Sequence, residues 1–291
     1  MNVIVVSNCV TSGYHLAVSS LFPDWNVKAA GINEAERWLR TGEKPEFSLF
    51  LADCDLFIGW PIRGHIISTV LNPSADRIIL PELYFRGLHP DVAQLNNFWG
   101  PFSIDAPHTQ TSLLMLGARS IGMTAKQTES LFCEAVYDRL GFFDLYKAER
   151  RRIVTQFFDA GVQLDEAFDW WEKQGDFFYI CHHPRSFVLV DIIRFALKGR
   201  YLSEDAFANS ESLRWSQRDT LAWTEVWPVY PEIARRTGFN GSLTWLKNSQ
   251  CSPREMSLSQ VIDNTFKNLE RMDAAWKSVP FVAECARRLQ M

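Results

Sequence analysis

Four short, largely apolar runs near the start of the chain constrain its fold more than any other feature. Asn2 to Ser7 (NVIVVS), Trp25 to Ala30, Leu56 to Gly59 and Arg77 to Leu80 have strand length. Strands of unbroken apolar type need cover on both faces, as in a parallel sheet held between helices. The stretches between them supply the helices. Thr11 to Phe22 places Tyr14, Leu16, Ala17, Val18, Leu21 and Phe22 at helical spacing and stops at Pro23, while Glu34 to Leu39 and Pro61 to Leu71 read as two more. The expected class is α/β: a parallel sheet flanked by helices.

The middle of the chain reads as helical. Thr124 with Gln127 makes a capping box, and Leu131, Phe132, Ala135, Val136 and Leu140 form one apolar stripe before Gly141. Ile153, Val154, Phe157 and Phe158 continue into the next helix. Phe177 to Cys181 (FFYIC) then reads as a fifth strand, and Pro184 suits the first position of a helix through Leu197, with His183 near its N-cap. Ser252-Pro253-Arg254-Glu255 predicts another helix start, whose buried face is Leu258, Val261, Ile262, Leu269, Met272 and Trp276. With no repeat and no Gly/Ser-rich linker, the expected layout is a single α/β domain over 1–291. Its helical additions span about 101–175 and 200–291.

Charge and length exclude several functions. A net charge of −4 offers no basic field for nucleic acid or an anionic membrane. No apolar run approaches the ~20 residues that span a bilayer. The first strand begins at the N-terminal Met with no basic leader, so no signal peptide is expected. Six scattered cysteines without a C-x-x-C pair imply reduced thiols and a cytoplasmic protein, and their spacing gives no zinc site.

In a parallel sheet, ligands bind outside the carboxyl ends of the strands. Asn8 and Cys9 follow the first strand, His89-Pro90-Asp91 follows the fourth, and His182 and His183 follow the fifth. A thiol and imidazoles at one edge form a nucleophile and base pair; the alternative for Cys9 is a small core hydrophobe. His89 and His183, each before Pro, also read as helix N-termini, and His15 and His65 read as structural. For an anionic ligand, Arg185 at the start of the helix after Pro184 is one candidate and Lys247 another. The Walker pattern, a G-x-G-x-x-G after a strand and the G-x-S-x-G elbow are absent.

Several spaced motifs occur together: SNC (Ser7 to Cys9), LHPDVAQL (Leu88 to Leu95), the stretch His108 to Asp144, ICHHP (Ile180 to Pro184) and WPVYPEIARRTGFNGS (Trp227 to Ser242). In this order they resemble the capsular polysaccharide biosynthesis acetyltransferases of the WcbI type, over roughly residues 1 to 250. The resemblance implies an SGNH-hydrolase-like three-layer fold. It also implies an enzyme that binds coenzyme A and moves an acetyl group from acetyl-CoA to a carbohydrate hydroxyl, without a metal. The family's G-N-C stands here as Ser7-Asn8-Cys9, so Ser7 replaces a Gly at the donor site; its H-P-D is His89-Pro90-Asp91 and its late H-P is His183-Pro184. Cys9 then takes the nucleophile's place, His183 or His89 the base's, and Asn8 the oxyanion donor's. An SGNH-like esterase and a silent nucleotide-sugar-binding protein are the alternatives.

Overall fold

The computed structural model describes residues 1–95, 110–222, 225–247, 254–272 and 274–291. The chain begins with β1 (Asn2–Ser7), α1 (Thr11–Leu21), β2 (Asn26–Gly31), α2 (Ile32–Thr41), α3 (Pro45–Asp53), β3 (Leu56–Gly59), α4 (Ile67–Val70) and β4 (Asp76–Ile79). There follow β5 (Val92–Gln94), β6 (Gln110–Ser112), α5 (Leu113–Ser120), α6 (Ala125–Glu129), α7 (Glu134–Leu140), α8 (Phe142–Asp159) and α9 (Asp165–Lys173). Next come β7 (Phe178–Ile180), β8 (His183–Pro184), α10 (Ser186–Leu197), α11 (Glu204–Asn209), α12 (Leu213–Ser216) and β9 (Glu225–Val226). The last elements are α13 (Pro231–Thr237), β10 (Thr244–Lys247), β11 (Arg254–Ser257), α14 (Leu258–Glu270) and α15 (Pro280–Leu289). They divide into two compact units, one of residues 1–84, 152–177 and 183–221, the other of 85–151, 178–182 and 222–291.

The first unit carries the parallel sheet, in strand order β2-β1-β3-β4. Val3 pairs with Val27 on one side of β1 and with Leu56 on the other, so β1 is central. Val3 to Val6 are fully buried because both sheet faces are covered. Ile4 and Val6 join a cluster with Trp38, Phe47, Phe50 and Leu51 of α2 and α3. By strand alternation Val3 and Val5 face the other layer. There α1 packs against β1, β2 and α10, and a Cβ on Gly13 would meet Leu189 at 2.2 Å. At the end of β3, Gly59 adopts φ +146°, and a Cβ there would lie 1.8 Å from the Val6 carbonyl oxygen. That carbonyl accepts from the Trp60 N–H at 2.8 Å. Only glycine lets β1 and β3 close at their carboxyl ends.

The α/β class with a parallel, helix-flanked sheet holds. Several local expectations do not. The fifth strand, β7, lies outside the four-stranded sheet. Pro61 to Leu71 is helical only over α4, because Gly64 turns left-handed at φ +85°. His183-Pro184 is extended, and α10 starts at Ser186 with Arg185 at its N-cap. The stripe from 125 to 140 breaks into α6 and α7, although the Thr124–Gln127 capping box is present. Arg254–Ser257 is a strand paired with β10, so its backbone bonds go to the ladder, and α14 opens on a second capping box, Ser257 with Gln260. Ser252, Pro253 and His108 lie outside the described residues.

The second unit is built on small antiparallel pairings, β5 with β6 and the sheet β11-β10-β9. Among its helices, α5 packs against α15 and α14. Tyr230 stacks on Tyr137 at 5.6 Å and meets Phe132 edge-on at 5.4 Å and Trp245 at 6.0 Å.

Candidate active site

At the carboxyl end of β1 the chain turns through Asn8, Cys9 and Val10 into α1. The Asn8 side chain closes this turn. Its Oδ1 accepts from the Val10 N–H at 3.3 Å and from the Cys9 thiol at 3.8 Å, and its backbone carbonyl accepts from the Thr11 N–H at 3.1 Å. With Oδ1 turned inward, the Asn8 amide N–H₂ is the donor face of the turn. Cys9 is exposed at the surface of the turn. Crowding by protein atoms still pushes its thiol up, to about 11, and the charge of Glu82 adds to this. The backbone N–H groups of Cys9 and Val10 act the other way without overcoming it.

Strand order places the turn well. The connection from β1 runs to β2 on one side and that from β3 to β4 on the other, so the strand order reverses between the carboxyl ends of β1 and β3, and the turn sits at this reversal. A cleft of about 640 Å³ opens beside the turn, on its β2 side, lined by Asn8, Cys9, Ser12, His15, Lys28 and Lys44 together with residues of β2, α2 and α3. The Lys28 ammonium sits 4.4 Å over the Phe50 ring and that of Lys44 4.1 Å over the Trp38 ring. Glu34 and Glu46 line the same cleft and balance their charge.

The other expected site residues are placed as follows. Ser7 is the buried last residue of β1, in register with Gly31. His183 is half-buried in β8, in the same unit as Cys9. Arg185 turns its Nε to the carbonyl of Asp176, and the Ser186 N–H donates to the Asp219 carboxylate at 3.2 Å, so a carboxylate already caps the start of α10. His89 and Lys247 belong to the second unit. His89 is buried, with its Nε2 3.1 Å from the Trp227 carbonyl and its Nδ1 unpartnered. Burial pushes it down to about 4, and nearby His182 adds to that. Asp91 of the same motif is buried, accepting from the Leu114 N–H at 2.8 Å and the Tyr230 hydroxyl at 2.7 Å, and desolvation raises it to about 6. Its geometry is that of a tether for α5.

His15, which reads as structural, has its Nε2 3.4 Å from the Val27 carbonyl and also lines the cleft. A signal for it exists in the sequence. Ser12, His15 and Ser19 recur at helical spacing on α1, opposite the buried Tyr14 and Val18. Lys28 and Lys44 carry no such signal, since cleft-facing lysines read like any solvated ones.

Comparison with known proteins places this site in a family. The profile of the polysaccharide biosynthesis enzyme WcbI matches residues 2–202. The chain belongs to the WcbI family. The matched span contains β1, the Asn8-Cys9 turn, the whole parallel sheet and His183. A solved structure of WcbI, described as a novel polysaccharide biosynthesis enzyme, superposes with a TM-score of 0.67. It is 14% identical and covers 98% of each chain, which makes the fold common to both. That structure is described as the native protein without a disulfide bond between coenzyme A and one of its cysteines. No curated protein matches the chain. Among the described residues, no helix is long and apolar enough to cross a membrane, and no group of three or more His, Cys, Asp or Glu is arranged to hold a metal ion.

Proposed function

We propose that this WcbI-family protein transfers an acetyl group from acetyl-CoA to a hydroxyl of a surface-polysaccharide precursor. The observation that carries the reading is the Asn8–Cys9–Val10 turn, which presents a thiol and amide donors to a cleft beside the carboxyl end of β1. The WcbI structure's description names coenzyme A beside a cysteine, which supports the same donor here. Lys28 and Lys44 are the cations of the cleft and face the phosphates of the co-substrate in this proposal. Arg185, engaged by Asp176, is the secondary candidate.

In the covalent route, Cys9 Sγ attacks the thioester carbonyl as its proton passes to a base. The bond to the coenzyme A sulfur breaks, and that sulfur takes up the proton. The sugar hydroxyl then attacks the S-acetyl carbon while the base accepts its proton, and Cys9 is reprotonated. His183, in the same unit as Cys9, is the base in this scheme. The Asn8 amide and the N–H groups of the turn hold the negative oxygen of each tetrahedral intermediate. The raised thiol of Cys9 favours a second reading, direct attack of the sugar hydroxyl on acetyl-CoA with Cys9 as a wall of the site.

Acetyl-CoA without acceptor should add one acetyl mass to Cys9 in the covalent route and none in the direct one. Cys9→Ala and His183→Ala should each lower transfer to a polysaccharide precursor by about a hundredfold or more. Near-normal transfer by both single variants would remove the site.

A further inference from the structure

The first unit carries a second depression that shares no lining residue with the Cys9 cleft. It has a volume of about 660 Å³ and is walled by Phe158, Phe195, Asp165, Glu166, Lys198 and Glu204. A smaller hollow of about 240 Å³ shares Glu166 and Phe195 with it and adds Trp170, Phe207, Glu211 and Arg214. The two form one trough along α9, α10 and α11.

Three properties of the trough point to one ligand chemistry. First, its borders expose aromatic rings. Phe158 is 58% exposed, and Trp215, edge-on to Trp170 at 5.5 Å, is 66% exposed. Exposed rings beside a hollow offer apolar faces to a ligand. Second, the lining is acidic. Lys198 is paired with Glu204 at 3.2 Å, and Arg214 is held by Asp191 at 2.8 Å and Glu211 at 3.5 Å, so the cations are spent within the wall. Asp165 and Glu166, both exposed in the first turn of α9, are left as acceptors. Third, the floor is rigid. Buried Asp191 accepts from Trp171 at 2.9 Å, Arg194 at 2.6 Å and Arg214 at 2.8 Å, and Arg194 also donates to Ser210 and the Phe207 carbonyl, both at 2.8 Å. A floor locked by buried charged hydrogen bonds preorganises the wall above it.

Aromatic faces that cover C–H surfaces, beside carboxylates that accept O–H groups, suit a sugar. The same carboxylates repel phosphates and uronates. We infer that this trough is a second carbohydrate-binding site, for an uncharged stretch of polysaccharide, separate from the Cys9 cleft. The inference rests on the family's polysaccharide chemistry and does not depend on acetyl transfer.

The test is calorimetric titration of the whole protein, without acetyl-CoA, against three probes. These are a set of neutral α- and β-linked hexasaccharides, uronate-containing hexasaccharides, and oligolysine. The expected result is binding of at least one neutral hexasaccharide and none of the uronates. Trp215→Ala and Phe158→Ala, both at exposed positions, should each weaken that binding roughly three- to tenfold. The double variant Asp165→Asn with Glu166→Gln should admit the uronates. Absence of binding by every neutral hexasaccharide, binding of oligolysine alone, or unchanged affinity in both aromatic variants would overturn the proposal. Absence of acetyl transfer by the parent protein with this binding intact would instead count against the proposed acetyl transfer.

Discussion

Alkylation of Cys9 by iodoacetamide reads out the state of its thiol directly. With the thiol raised from 9.0 to about 11, the thiolate fraction at pH 7 is about one in ten thousand, roughly a hundredfold below an ordinary cysteine. A more basic thiolate is also a better nucleophile, and a Brønsted slope of about 0.45 recovers roughly eightfold. The net expectation is a rate constant at pH 7 about tenfold below that of a small thiol with the ordinary value. The logarithm of the rate should rise by about one per pH unit without a plateau before about pH 11. Peptide mass spectrometry after timed quenching assigns the rate to Cys9, the exposed thiol, apart from buried Cys54, Cys181 and Cys285. Glu82→Gln should raise the rate, because Glu82 opposes the thiolate. A plateau below pH 9, or a rate at pH 7 above that of the small thiol, would refute the desolvation argument and mean that Cys9 rests activated.

Gly59→Ala should destabilise the protein by about 3 kcal/mol or more, since a Cβ 1.8 Å from the Val6 carbonyl forces β1 and β3 apart and φ +146° is strained for alanine. A loss below about 1 kcal/mol in urea unfolding would contradict that contact. The stability of the second unit should be nearly level between pH 6.5 and 4 as far as His89 and Asp91 decide it. His89, lowered to about 4, contributes stability present above its ordinary 6.5 and lost as pH falls through 4. Asp91, raised to about 6, contributes stability present below its ordinary 3.8 and lost as pH rises through 6. Each amounts to about 3 kcal/mol with opposite sign, so Asp91→Asn should lose about that much more than the parent on acidification from pH 6.5 to 4. Denaturant unfolding at several pH values checks it, and parallel profiles for the two proteins would refute the offset.

Much of the first unit follows from local pattern. The runs at Asn2 and Leu56 become buried strands because a strand apolar on both faces has no stable position except between two layers. The Asn8-Cys9 turn is local as well: Asn8 bonds its own neighbours, and a strand followed at once by a helix leaves Cys9 at the carboxyl edge. The capping box at Thr124 and the stop at Gly199, which takes φ +73°, depend on a few adjacent residues and are equally legible. Tertiary structure decided what depends on partners distant in the chain. Phe178–Ile180 has strand composition, but no local feature says which sheet receives it. Arg254–Ser257 carries a helix-start signal that pairing with Thr244–Lys247 overrides, because the ladder satisfies its backbone groups first. His89 and His183 both precede a proline and look alike in sequence, yet one is buried against Trp227 and pushed to about 4, and the other is half-buried in β8. The start of α10 is capped by Asp219, 34 residues after Arg185, a partner that no local pattern names. Local pattern sets which backbone geometry a segment prefers; the charge, burial and partner of a side chain come from atoms that the fold brings from elsewhere.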